Sequence, residues 1–181
     1  QRKILELVLQ NPLEEAEAAY RQLYEHHGPL LRFLKEASGP PPKALYRAAE
    51  FVLNADLQRA FENEELNLAH IENLLREARL EGISLETTSL EFGLRKTLER
   101  LAAQLAADPS DFGVLQRLED ATTLVSSLPF QVDLWRVQNI CYEMLQTVYE
   151  EYQMRAQQGH EEARAWLLHF NTIALNLTVR V

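Results

Sequence analysis

Leu128-Pro129-Phe130-Gln131-Val132-Asp133-Leu134-Trp135-Arg136-Val137-Gln138-Asn139-Ile140-Cys141-Tyr142-Glu143-Met144-Leu145 contains a helix stop, a helix start and the opening turns of the helix itself. Pro129 cannot continue a helix, and Asp133 is a residue type that caps the first turn of the next. From there Leu134, Val137, Cys141, Met144, Leu145, Val148 and Tyr152 recur at three-and-four spacing, the repeat of one helical face. The pattern predicts a long helix over 133–157, closed by Gly159.

The same alternation of periodic stretch and breaker covers the rest of the chain. A first helix is expected over 2–10. Asn11-Pro12-Leu13-Glu14 reads as a cap and restart, with a helix that ends at Gly28. Pro29 opens a short segment stopped by Ser38-Gly39, and Pro40-Pro41-Pro42 is a stiff connector. Helices follow over 43–61, with a bend near Asn54, and over 68–81, ended by Gly82. Thr88-Ser89-Leu90-Glu91 matches a capping box. Asp108-Pro109 starts the next helix, and His160 to about Leu177 forms the last. No segment sustains the period-two alternation of a strand, and no marker residues recur at a fixed interval. The expected fold is all-α: an irregular bundle of about eight helices without a sheet, forming a single helical domain over 1–181.

Composition limits what such a domain does. The hydrophobic fraction is 46% and the charged fraction 25%, which suits a globular chain that buries roughly 70% of its unfolded surface. The net charge of −9 opposes nucleic-acid binding, which needs a basic face. The acidity is evenly spread, with 13 basic and 17 acidic residues over 1–107 and 5 and 10 over 108–181. No apolar run approaches the roughly 18 residues of a membrane span, so no membrane partner is expected. The single cysteine, Cys141, excludes an intrachain disulfide and fits a cytoplasmic location. The chain begins at Gln1 already in helical register, which is expected of an excised C-terminal piece of a longer protein.

Catalytic patterns are missing. None of the five histidines has a Glu three residues before it, as di-iron bundles require, and there is no His-Glu-x-x-His or phosphate-cradling glycine loop. No catalytic residue, metal ligand or cofactor is assigned. His26-His27 before Gly28 is read as a pair favoured by a helix C-terminus. Cys141 lies in the apolar stripe and is read as core. Asn176-Leu177-Thr178 matches a glycosylation pattern in an apolar helical setting and is read as coincidence.

One cluster carries chemistry. Trp135, Gln138, Asn139, Tyr142 and Gln146 follow three-and-four spacing beside the core stripe. An aromatic ring next to amides suits a sugar, because the ring stacks on a pyranose face and the amides bond hydroxyls in both directions. Trp135, Gln138 and Asn139 are the candidate substrate-contact residues. The structural alternative buries this face too, with the amides bonded to a neighbouring helix or to the preceding loop, and that burial is the favoured expectation.

Arg2-Lys3-Ile4-Leu5-Glu6-Leu7, Ala48-Ala49-Glu50-Phe51-Val52-Leu53-Asn54, Ala107-Asp108-Pro109-Ser110-Asp111 and Leu134-Trp135-Arg136-Val137-Gln138-Asn139 occur in an order that resembles the C-terminal helical region of bacterial glycoside hydrolase family 57-like proteins. The resemblance implies a parent of the α-amylase and glucanotransferase type whose two catalytic carboxylates belong to an N-terminal barrel. It implies that this helical part is an accessory domain whose partners are that barrel and an α-glucan in its cleft. A free-standing helical protein-interaction module, unconnected with carbohydrate, is the other expectation.

Overall fold

Eight α-helices and no strand occur among the described residues of the computed structural model, which are 2–37, 39–63 and 65–179. The all-α class is as expected, but the helix boundaries differ in both directions. The chain forms two compact units, Gln1–Arg59 with Ala69–Glu86 and Ala60–Leu68 with Thr87–Val181.

The first unit starts with α1 (Arg2–Glu36), one 35-residue helix where three segments were expected, with Pro12 and Pro29 inside it. The stop signals at Gly28-Pro29 are overridden by packing. Tyr24, Gly28 and Leu31 follow one face of the helix and all three are buried, so the inward face continues straight through the break. His26 and His27 therefore sit inside a helix, edge to face at 4.7 Å, and the C-terminal dipole does not account for them. Helix α2 (Lys43–Glu62) buries Ala48, Ala49, Val52, Leu53 and Leu57 and runs through Asn54 as one element. The Asn54 amide instead ties α2 to the chain beyond α3 (Leu68–Glu81). Its Nδ2 donates to Glu50 O at 2.8 Å and Ser84 O at 3.0 Å, and its Oδ1 accepts from Glu86 N at 2.7 Å. Helix α3 ends as read, on Gly82 at φ 68, with Ile83 N bonded to Ala78 O at 2.8 Å.

The second unit holds α4 (Thr87–Ala107), α5 (Phe112–Val125), α6 (Trp135–Thr147), α7 (Tyr149–Gln157) and α8 (Glu161–Asn176). The anticipated capping box at Thr88 does not form. Glu91 turns to Arg95 Nε at 3.0 Å and to Asp133 N at 3.3 Å. Asp111, not Asp108, caps α5, its side chain accepting from Val114 N. Asp108 instead closes a turn onto Ser110 N and Oγ. The expected 133–157 helix is two helices separated at Val148. Just before that residue Thr147 Oγ1 bonds back to Glu143 O at 2.8 Å, a contact that bends helices.

The core of this unit centres on α8. Trp166 is fully buried and lies between Tyr152, 4.1 Å away and stacked, and Phe170, 4.7 Å away and stacked. The polar ends of two of these rings converge on one acceptor. Trp166 Nε1 donates to Pro109 O at 2.8 Å and Tyr152 Oη donates to the same oxygen at 3.1 Å. Large rings thus enter the core with their donors satisfied.

Candidate contact face on helix α6

Helix α6 starts where Pro129 and the turns after α5 leave the chain without helical bonds. Asp133 Oδ1 accepts from Trp135 N at 3.0 Å, and Gln138 N donates to Leu134 O at 2.8 Å, the first helical bond. Asp133 therefore supports the start from one residue further out than a regular N-cap, which is Leu134. The start is also tethered to α4, which packs against α6. Glu91, Arg95, Glu99 and Arg136 form a chain of ion pairs from one helix to the other, ending with Arg136 Nη1 to Glu99 at 3.3 Å. Glu91, Arg95 and Glu99 are half-buried and Arg136 is exposed, and the network fixes orientation more than it adds stability.

Val137, Cys141 and Met144 face inward and are buried. Burial pushes the Cys141 thiol up to about 12, so it stays protonated and packs as a small apolar group. The adjacent face is not buried, contrary to the favoured expectation. Trp135 is 70% exposed and Tyr142 55% exposed, and Asn139 and Gln146 are exposed as well. Only Gln138 fits the structural reading: it is half-buried and its Nε2 donates to Leu177 O, at the end of α8, at 2.9 Å.

The sequence-derived residues are thus brought together on one helix as a solvent-facing row: Trp135, Asn139, Tyr142 and Gln146, with Gln138 at its edge. Trp135 and Tyr142 stand seven positions apart, about 10 Å along the axis. Two exposed leucines on α8 were not anticipated, Leu168 at 68% and Leu175 at 76%. Their seven-residue spacing, off the buried Trp166–Phe170–Ile173 stripe, was the available signal.

The row has the chemistry of a contact surface. It offers ring faces and amide groups, with no nucleophile, paired carboxylates or metal-ligating set. No group of three or more potential metal ligands occurs among the described residues. The His169 Nδ1–Glu119 Oε2 pair, 2.5 Å apart, joins α8 to α5. Asp120 beside it is held above the usual carboxylate range by burial and then by the charge of Glu119. Asn176, the would-be glycosylation acceptor, has its amide nitrogen on the hydroxyls of Thr122 and Thr123 at 3.3 and 3.0 Å. No helix among the described residues is long and apolar enough to cross a membrane. Compared with known proteins, the chain matches no family model, no curated protein and no solved structure.

Proposed function

We propose that this chain is a non-catalytic helical accessory domain and that the exposed face of α6 is its working surface, making contact with carbohydrate. The observation that carries this reading is Trp135, a large ring left 70% exposed on the same face as Asn139 and Tyr142. Packing does not use it, and the ring-plus-amide combination matches what a sugar presents. The sequence resemblance to the helical region of family 57-like glycoside hydrolases supplies the setting: a catalytic barrel of the same polypeptide and an α-glucan substrate. In that setting the domain packs on the barrel and shapes one side of its cleft.

Backbone amide NMR of the chain titrated with maltoheptaose, a linear α-glucan, tests this directly. Shifts confined to 135–146 and lost in Trp135→Ala support the reading. A spectrum unmoved at millimolar glucan sinks it.

The exposed Leu168 and Leu175 favour a second reading, a helical module that binds protein. Leucine offers nothing to a hydroxyl-rich ligand, whereas Trp, Tyr and apolar groups together characterise protein contact patches. Retention of maltoheptaose shifts in a Leu168→Ser/Leu175→Ser chain separates the carbohydrate reading from this one.

A further inference from the structure

The last turn of α8 closes on a residue type that the turn disfavours. Val179 N donates to Ala174 O at 2.8 Å and Thr178 N to Leu175 O at 3.0 Å, the paired bonds of a Schellman cap. That cap needs a left-handed residue just past the helix, and the residue is Thr178 at φ 56. Glycine holds the equivalent place after α3 and α7, at Gly82 and Gly159 with φ 68 and 95. A β-branched side chain in this region is penalised by the equivalent of roughly ten-fold or more in equilibrium.

Something must hold the turn closed, and a side chain from another helix touches it. Gln138 Nε2 donates to Leu177 O at 2.9 Å. This carbonyl belongs to the same rigid peptide plane as the Thr178 N–H, so the bond fixes the plane on which the strained conformation depends. Leu177 itself is buried at 1% exposure, which anchors the other side of that plane. Thr178 is exposed, so its own side chain contributes little packing.

We propose that Gln138 is the latch of a strained cap, a positioning residue that couples the exposed face of α6 to the C-terminal end of α8. Gln138 sits three positions after Trp135 and four before Tyr142, so an occupant of that face that draws its amide away loosens the cap. By reciprocity, a loosened cap changes the affinity of the face. This coupling rests on the proposed role of the α6 face. The latch does not, because it acts in the free chain.

Amide hydrogen exchange in the free chain tests it. Gln138→Glu keeps the shape but removes the donor, and Gln138→Ala is the second variant. Either one speeds exchange at Thr178 and Val179 by roughly five- to ten-fold, leaves the Cys141 and Met144 amides as slow as before, and is reversed by adding Thr178→Gly. Unchanged exchange at Thr178 and Val179 overturns the latch. So does a loss of protection along the whole of α6, or a failure of Thr178→Gly to restore the slow rate. A chain that ignores maltoheptaose yet shows the predicted exchange pattern would refute the carbohydrate reading and leave the latch standing.

Discussion

Asn54 shows how much one polar side chain decides. It is 7% exposed and satisfies three backbone groups at once, on Glu50, Ser84 and Glu86. Ser84 and Glu86 themselves are exposed, so Asn54→Ala removes bonds worth about 0.5–1.5 kcal/mol each and leaves their carbonyl and N–H to water. Denaturant unfolding should show a loss of about 1–3 kcal/mol, and a change below about 0.5 kcal/mol would mean that water replaces the amide without penalty. Cys141 gives a pH-dependent counterpart. Its folded thiol titrates near 12 against roughly 8.5 in an unfolded chain. The raised value means its contribution is complete below about pH 8.5 and is lost as pH rises toward 12. Cys141→Ala should flatten the alkaline fall in stability over that window, and the native thiol should resist a disulfide reagent at pH 8 until the chain is unfolded. These residue-scale features were only half legible. Periodicity placed Cys141 in the core, but two of the three partners of Asn54, Ser84 and Glu86, lie 30 and 32 positions away in sequence, beyond any local pattern.

The elements show where local signals win and where they lose. Gly82 and Gly159 stop their helices because the left-handed residue each cap needs is available there without strain. Gly28-Pro29 carries an equally clear stop signal and does not act as one. A proline inside a helix removes one bond and crowds the preceding turn, at about 3 kcal/mol, yet the buried face through Tyr24 and Leu31 continues across it. Pro29→Ala should therefore raise the melting temperature, by up to about 3 kcal/mol of added stability. A neutral or destabilising result would argue that the helix does end at Gly28. The converse failure is at Val148, where the periodic pattern runs on but the helix breaks. Side-chain spacing cannot register a back-bond such as that from Thr147 to Glu143, since threonine is tolerated at either kind of position. The α6 face was legible as a distinct stripe, but its exposure was not. Sequence shows which residues share a face, and only the fold shows whether another element arrives to cover it.

At the scale of the molecule, the all-helical class followed from the absence of period-two segments, while the partition into two units had no sequence marker. The Pro40-Pro41-Pro42 connector, the one compositional break, lies inside the first unit, not between the units. The two tryptophans divide the roles. Trp166 is buried and bonded in the core, whereas Trp135 faces solvent. That division makes the central claim measurable with the natural fluorophores. In a Trp166→Phe chain, emission comes from Trp135 alone and should begin red-shifted and open to quenching by iodide. Addition of maltoheptaose should shift it to the blue, saturably, with protection from iodide. Emission and quenching that stay unchanged up to millimolar glucan, in a chain that remains folded, would contradict the assignment of the α6 face to carbohydrate contact.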